Sequence, residues 1–183
     1  IVGAGRPPNC ITYVAVPTIE SAGQLMKHPL VRLLVVTGGG GVVKAAMNSG
    51  KRAICAGPGN PPTVVDETAN IDAAGRDIVA GHSFDNNVIC TDEKEVFVVE
   101  KVADQLIDTM VDEGAVLLRN HQITRLEKLI LTGDREHINR SWVGQDAAKF
   151  LREIDVPFKG DPRLVTCEVP ANHPFVQLEL LMP

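Results

Sequence analysis

The stretch from Ser83 to Val99 contains the residue of this chain best placed for chemistry, the thiol of Cys90. The residues from Phe84 to Asn87 are typical of loops, and the β-branched and aromatic run from Val96 to Val99 predicts a strand. The thiol is therefore expected on a turn that enters a sheet, where a side chain can face a cleft. A thiolate there could attack an electrophilic carbonyl, although most free cysteines are small core residues.

The sequence motif of this loop is long and specific. It reads G-x-S-F-D-N-N-x-x-C-x-x-E-K from Gly81 to Lys94 and resembles the nucleophile segment of the coenzyme-A-acylating aldehyde dehydrogenases, a branch of the aldehyde dehydrogenase superfamily. The segments GPGNPP and ELLMP extend the resemblance over nearly the whole chain. It implies an α/β fold in which the end of a Rossmann-like NAD-binding domain, residues 1–62, precedes the front part of the catalytic, thioester-forming α/β domain, residues 63–183.

The resemblance also implies an activity, the NAD-dependent oxidation of a short-chain aldehyde to acyl-CoA by an oxidoreductase in which Cys90 is the catalytic nucleophile. Propionaldehyde and acetaldehyde are both reasonable substrates. Hydrolytic relatives carry a glutamate within E-L-G-G-K that activates water, whereas here no acid occurs between Lys51 and Val65, and Cys55 or a neighbour takes that place. Without a carboxylate base water is a poor acyl acceptor, while coenzyme A brings a thiol that ionises more readily.

A glycine turn, Thr37 to Gly41, follows an apolar run and precedes an expected helix. Backbone N–H groups at a helix N-terminus favour an anion such as a pyrophosphate. The pattern is not G-x-G-x-x-G, so from the residues alone a tight packing turn is about equally well supported. The resemblance implies the dinucleotide site, and the cofactor-binding residues that it indicates in this part of the chain are Thr37, Gly38, Gly39, Ala56 and Gly57.

Glu179 lies in the E-L-L-M-P segment, where the resemblance implies a hydrogen bond to the nicotinamide ribose. As a bare residue it is more simply a surface charge. His82 could act as the base of a cysteine hydrolase, but no hydrolase signature is present, and a lone loop histidine usually faces solvent. Asn86 and Asn87 could hold an oxyanion, although turn positions with positive φ are the stronger interpretation. Trp142 is interpreted as an anchor between helices.

Strands and helices are expected to alternate along the chain, which is typical of α/β proteins. The expected strands are residues 9–16, 33–36 (apolar on both faces and covered by helices), 52–54, 64–65, 96–99 and 164–169. One expected helix begins after the cap Thr18, and others span residues 42–48, 71–80 and 101–112. Asn70 is expected to cap the helix at 71–80 and Gly81 to end it. A further helix is expected to begin at the capping box from Thr124 to Glu127, and the last is expected to end near Glu153. Ala56 to Pro62 is expected to be irregular and to mark the domain boundary.

The composition excludes several classes of function. The chain has 183 residues, 44% hydrophobic and 22% charged, which is ordinary for a globular protein. A net charge of −5 without clusters of Lys or Arg argues against nucleic acid, and apolar runs of only a few residues fall far short of the roughly 20 that span a membrane. The four cysteines and five histidines lack the spacing of a metal site or a disulfide framework, so we predict no metal and a cytoplasmic location.

Two alternatives remain open from the residues. One is a catalytically silent cargo or interaction module, and the other is an acyl-phosphate-type reductase that releases the same thioester with phosphate. The family further implies a homo-oligomer in the full-length form and, for some members, a location inside a bacterial microcompartment with its shell as a partner. Because the chain starts at Ile1 and ends in ELLMP, a segment that resembles the middle of a domain, we expect an internal fragment with little activity of its own.

Overall fold

The computed structural model describes residues 2–183, which divide into two compact units, residues 2–58 and residues 59–183. The first unit contains α1 (Ile19–Lys27), β1 (Leu33–Thr37), α2 (Gly40–Met47) and β2 (Arg52–Ala56). The second contains β3 (Pro62–Val65), α3 (Ile71–His82), β4 (Glu95–Val98), α4 (Glu100–Asp112), β5 (Ala115–Leu118), α5 (His121–Ile130), α6 (Ala147–Glu153), β6 (Leu164–Cys167) and α7 (Pro174–Gln177). Short 3-10 helices lie at Val2–Ala4, Phe84–Asn87 and Arg140–Trp142.

The strands pair in parallel, which confirms the predicted α/β class. β1 pairs with β2, β3 with β4, and β5 with β6. At least one helix lies between the two strands of each pair, as a parallel connection requires. Within residues 2–183, no helix combines the length and the apolar content needed to cross a bilayer.

In the first unit, the helices were predicted from the sequence more accurately than the strands. Thr18 caps α1 as predicted and forms a reciprocal capping box with Ser21. α2 begins at Gly40, two residues before the predicted start, because the first N–H groups of a helix need no intrahelical partner. β1 has only one covered face, since Leu34 is buried while Val35 is 73% exposed, so the prediction of cover on both faces was wrong.

The predicted strand at residues 9–16 was also wrong. Asn9 has a φ of 64°, which turns the chain, and in the described structure the backbone of this stretch forms no ladder hydrogen bonds. Ile11 and Tyr13 are strongly exposed. β-Branched and aromatic residues favour a strand through packing against neighbours, and this segment has no strand partner among residues 2–183.

The second unit is built around two apolar clusters. One joins α3, α4, β3 and β5 and includes Val79, Leu106 and Ala115. The other centres on α5 and α6 and includes Phe150 and Leu151. These clusters fix the helix and strand ends from which the loops of the unit project.

Four element boundaries in or beside the second unit correct the sequence predictions. Ala56 ends β2 and Pro62 begins β3, so the irregular segment is shorter than predicted, and a proline is tolerated as the first residue of a strand. α3 continues through Gly81 to His82. α5 starts at His121, three residues before the predicted capping box, and β5 was not predicted at all.

Candidate active site

The loop before Cys90 is folded by three successive residues in left-handed backbone conformation. Asp85, Asn86 and Asn87 have φ values of 47°, 52° and 59°. Asn and Asp are the residues other than glycine that enter this region most readily, so the turn interpretation of the two asparagines is confirmed. Cys90 follows on an exposed turn between α3 and β4, which leaves its thiol accessible.

Asn87 fixes both ends of this loop. It is completely buried, and its Nδ2 donates to the carbonyl oxygens of His82, at 2.8 Å, and Glu93, at 3.2 Å. Its Oδ1 accepts a hydrogen bond from Lys94. A single amide side chain therefore joins the end of α3 to the residues that lead into β4.

Asn86 connects the same loop to a second segment of the chain. Its Nδ2 donates to the carbonyl oxygen of Gly144, at 3.0 Å, and to Oδ1 of Asp146, at 2.9 Å. The backbone N–H of Gly144 donates in turn to the carbonyl oxygen of Leu181, at 3.0 Å. The Cys90 loop, the W-V-G-Q-D segment and the E-L-L-M-P segment are thus connected by hydrogen bonds.

The GPGNPP segment joins this arrangement through Asn60. Its Nδ2 donates to the carbonyl oxygens of Val176, at 2.9 Å, and Leu178, at 3.0 Å. The backbone N–H of Lys94 donates to the carbonyl oxygen of Pro61 at 3.0 Å. Segments separated by more than a hundred residues therefore converge around the Cys90 loop within the second unit.

Lys94 is the functional candidate that sequence reasoning missed. Its ammonium group donates to the carbonyl oxygens of Ile89, at 2.9 Å, and Asn87, at 3.1 Å, besides Oδ1 of Asn87. Burial lowers the pKa of Lys94, while the charges of Asp92, Glu179 and Cys90 oppose that shift. The only signal in the sequence was its place inside the E-K ending of the motif, and no spacing rule assigned it a contact.

His82 does not have the surroundings of a hydrolase base. Its Nδ1 lies 2.5 Å from the carbonyl oxygen of Glu93, and because a carbonyl only accepts, Nδ1 carries the proton. Burial lowers the pKa of His82, which favours the neutral ring. The half-buried imidazole contradicts the expected solvent-facing position, and among the described contacts it is bonded to Glu93 rather than to Cys90.

The segment that carries Glu179 is held by a histidine. Nδ1 of His173 accepts a hydrogen bond from the N–H of Phe175, and Nε2 lies 3.1 Å from Oε1 of Glu127. The side chains of His173 and Glu127 are each only 13% exposed. Glu179 itself is half-buried and contributes to the charge around Lys94, so it is not a simple surface charge.

The predicted cofactor residues of the first unit lie at one sheet edge. β1 and β2 are paired so that Thr37 lies opposite Ala56, and the N–H of Gly38 donates to the carbonyl oxygen of Ala56 at 3.1 Å. Gly39 precedes α2 without a side-chain cap, and open space surrounds the position that a Cβ would occupy on it. The carboxyl ends of the two parallel strands thus bring together Thr37, Gly38, Gly39, Ala56 and Gly57.

The second unit has two further features, an aromatic contact and a cavity. Trp142 packs against Phe150, with ring centroids 5.2 Å apart, which confirms the anchor interpretation. A cavity of about 510 Å³ is lined mainly by core side chains and includes His82 and Lys94, but Cys90 is not among its lining residues. Across residues 2–183 no three His, Cys, Asp or Glu side chains are grouped as metal ligands would be.

Comparisons with known proteins agree with the motif. The chain is 47% identical over 188 aligned residues to the acetaldehyde dehydrogenase (acetylating) EutE of Salmonella typhimurium, covering 100% of this chain and 40% of that protein. The structure of a propionaldehyde dehydrogenase from the Clostridium phytofermentans fucose utilisation bacterial microcompartment matches all of this chain and 42% of its own, with 40% identity and a TM-score of 0.90. A Rhodopseudomonas palustris propionaldehyde dehydrogenase with bound CoA and an acylated cysteine matches with 43% identity and a TM-score of 0.88, covering 100% of this chain and 42% of that one.

The predicted resemblance to the coenzyme-A-acylating branch is confirmed by these relatives, of whose length the chain spans about 40%. The family model described as the aldehyde dehydrogenase family matches residues 1–126, more than half of the chain. The chain therefore belongs to the aldehyde dehydrogenase family.

Proposed function

We propose that this chain contributes the nucleophile of an NAD-dependent, coenzyme-A-acylating aldehyde dehydrogenase that oxidises acetaldehyde or propionaldehyde to the acyl-CoA. The observation that carries the proposal is the exposed thiol of Cys90 on a loop whose backbone is held by the buried Asn87 and by Lys94. A thiol that is both accessible and held in place suits covalent catalysis, whereas a core cysteine suits packing.

In the proposed reaction, Cys90 takes part in three steps. The thiolate adds to the aldehyde carbon, so that a C–S bond forms and the carbonyl electron pair moves to oxygen. NAD, when bound, would accept the hydride that leaves this carbon, and as the carbonyl re-forms the adduct on Cys90 would become a thioester. The thiolate of coenzyme A then adds to the thioester carbon, and Cys90 leaves as a thiolate while acyl-CoA is released.

The choice of coenzyme A over water rests on what stands between Lys51 and Val65. No carboxylate side chain occurs there, so nothing in that segment can take the proton of an attacking water. A thiol acceptor with a pKa nearer to neutrality needs less assistance. An acyl-phosphate-type reductase would share the thioester and differ only in using phosphate as the acceptor.

The dinucleotide site fits the first unit. Three consecutive glycines, Gly39 to Gly41, begin α2 with open space where side chains would stand, so a pyrophosphate could approach the backbone N–H groups closely. Thr37, Gly38, Ala56 and Gly57 flank this position at the carboxyl ends of β1 and β2. On this assignment residues 1–62 end the NAD-binding domain and residues 63–183 begin the catalytic domain. The family resemblance assigns Glu179 to the nicotinamide ribose.

The proposal extends to the substrate, the assembly and the location of the full-length protein. A small aldehyde is the substrate, and the full-length form is a homo-oligomer in the cytoplasm or inside a bacterial microcompartment, with the shell as a partner. The microcompartment origin of one structurally similar propionaldehyde dehydrogenase supports this last assignment.

The test is NADH formation from propionaldehyde by a polypeptide of the relatives' length that carries this chain, with coenzyme A, with phosphate, and with neither. We expect NADH only with coenzyme A and none from Cys90→Ser, while Cys10→Ser, which alters another exposed thiol, retains full activity. Equal rates without coenzyme A would contradict the acylating mechanism, and a preference for phosphate would favour the acyl-phosphate reductase.

The interaction-module alternative is tested by selective alkylation. A catalytic Cys90 should react with iodoacetamide faster than the other three thiols because a reactive thiol must be accessible and ionised. If Cys90 reacted no faster than Cys10 and the extended protein formed no NADH, the chain would be a silent module.

A further inference from the structure

Lys94 contacts the peptide group that carries the amide of the proposed nucleophile. Its Nζ donates to the carbonyl oxygen of Ile89 at 2.9 Å, and the N–H of Asp92 donates to the same oxygen at 3.2 Å. This carbonyl belongs to the same planar peptide unit as the N–H of Cys90. Within the described structure the N–H of Cys90 donates no hydrogen bond. The carbonyl oxygen of this peptide is therefore bound by a cation, while the N–H of the same peptide remains available as a donor beside the thiol.

We propose that Lys94 is a positioning residue that orients the backbone N–H of Cys90 toward the oxygen of the substrate carbonyl. The inference rests on the proposed function and adds a residue to it. When the thiolate adds to a carbonyl, negative charge develops on the oxygen, and a preorganised donor at that oxygen is among the largest contributions to such catalysis. An amide on the attacking residue itself lies within a few bonds of the new C–S bond.

The contact acts on this amide in two ways. Because the peptide is planar, fixing the Ile89 oxygen also fixes the direction in which the Cys90 N–H points. A charged donor on a carbonyl also polarises the peptide, which strengthens the hydrogen bond that its N–H can make. Neither effect requires Lys94 to touch the substrate.

The ammonium group is itself held in a defined position. Its three donors match three acceptors, which are the carbonyl oxygens of Asn87 and Ile89 and Oδ1 of Asn87. Asn87 in turn donates hydrogen bonds to the carbonyl oxygens of His82 and Glu93, so it links Lys94 to the end of α3 and to the residues that lead into β4. The nearby carboxylates of Asp92 and Glu179 oppose the effect of burial and favour the charged form.

The experiment separates a role on the amide from a role on the thiol. Lys94→Met is compared with Lys101→Met, an exposed lysine of α4, in a polypeptide of the relatives' length. One readout is kcat for NADH formation, which needs the oxygen to be stabilised. The other is the rate of Cys90 alkylation by iodoacetamide, in which the thiolate displaces iodide from a saturated carbon and creates no oxyanion.

We expect Lys94→Met to lower kcat by roughly 10- to 100-fold, somewhat less than the loss of a whole oxyanion donor, while alkylation stays within about twofold. Lys101→Met should leave both rates unchanged. Parallel losses of kcat and alkylation would show that Lys94 acts on the thiol, and an unchanged kcat would show that it has no role; either result overturns the inference.

A second variant covers the case in which Lys94→Met does not fold. Lys94→Arg keeps the charge, but a planar guanidinium cannot reproduce a three-acceptor fit around a compact ammonium group, so kcat should fall with alkylation preserved. Full kcat in Lys94→Arg would also overturn the inference. If the unmodified enzyme forms no NADH, the proposed function itself fails, and that outcome is distinct from an active enzyme that tolerates both substitutions.

Discussion

The clearest test of the loop architecture is the replacement of Asn87 by alanine. The side chain is fully buried and donates to the carbonyl oxygens of His82 and Glu93, while its Oδ1 accepts from Lys94. Its backbone has a φ of 59°. Alanine would therefore remove three hydrogen bonds and would also occupy a left-handed position without a side chain suited to it.

The expected loss of stability can be worked from these contacts. The carbonyl oxygen of Glu93 keeps its hydrogen bond from His82, but the other partners of the Asn87 amide lose theirs, which costs about 1–3 kcal/mol. Holding alanine in the left-handed region adds about 1–2 kcal/mol. We expect Asn87→Ala to lower the free energy of unfolding by about 2–5 kcal/mol, a large part of the 5–15 kcal/mol typical of a domain. Asn87→Gly loses the same hydrogen bonds without the steric term, so it should be about 1 kcal/mol more stable than the alanine variant.

The assay is urea unfolding followed by the fluorescence of Trp142, which is the sole tryptophan and lies in the second unit. Asn172→Ala is the matched control because that asparagine is exposed and makes no side-chain hydrogen bond within the described structure. The control should change stability by no more than about 0.5 kcal/mol. A loss below about 1 kcal/mol for Asn87→Ala, or an alanine variant more stable than the glycine variant, would refute this account of the loop.

Three further predictions use other contacts. Gly75→Ala should cost about 1–3 kcal/mol of unfolding free energy, because its Cβ would lie 2.6 Å from Cγ2 of Thr109, whereas Gly39→Ala, at an open position, should cost far less. Burial raises the pKa of Cys167 to about 11 from an ordinary value of 9.0. Urea titrations should therefore show that the free energy of unfolding falls by roughly 2 kcal/mol as pH rises from 9 to 11. Cys167→Ala should abolish this part of the loss. Burial lowers the pKa of His82 below its ordinary 6.5, so stability should be retained above pH 6.5 and fall as pH decreases toward 5, with His82→Gln showing a smaller fall across the same titration.

The helices of the fold were predictable where local chemistry determines them. Thr18 and Asn70 were identified as N-caps, and in the structure each accepts a hydrogen bond from the first turn of its helix. A capping residue acts within four positions of the chain, so the sequence contains the whole of the signal. The apparent capping box at Thr124 failed because the helix had already begun at His121, after Asn120 in a positive-φ conformation.

The strands were less predictable because a strand depends on its partner. Residues 9–16 have suitable side chains but no ladder in the described structure, whereas β5 was missed although it pairs in parallel with β6. Its four residues, Ala115 to Leu118, show no alternation that separates a strand from a buried helical turn. Pairing between segments some fifty residues apart leaves little trace in either segment alone.

At the candidate site, the sequence indicated the proposed nucleophile but not the residues that hold its loop. Cys90 was located from its motif, and the structure places it on an exposed turn. The roles of Lys94 and of Asn60 depend on backbone carbonyls that lie far from them along the chain or are reached only after the loop has folded. Backbone acceptors are the same at every residue, so no pattern of side chains could have indicated these contacts.

The motif S-F-D-N-N before Cys90 is therefore best understood as a specification of backbone geometry. Asp85, Asn86 and Asn87 are needed first because three successive positive φ values exclude most other residues. Once the chain has taken this path, the two asparagine side chains point to different neighbours, Asn86 toward Gly144 and Asn87 toward His82 and Glu93. The same residues thus select the turn and then anchor it. This is why a local pattern located the thiol correctly even though the prediction of its surroundings, such as a solvent-facing His82, was wrong.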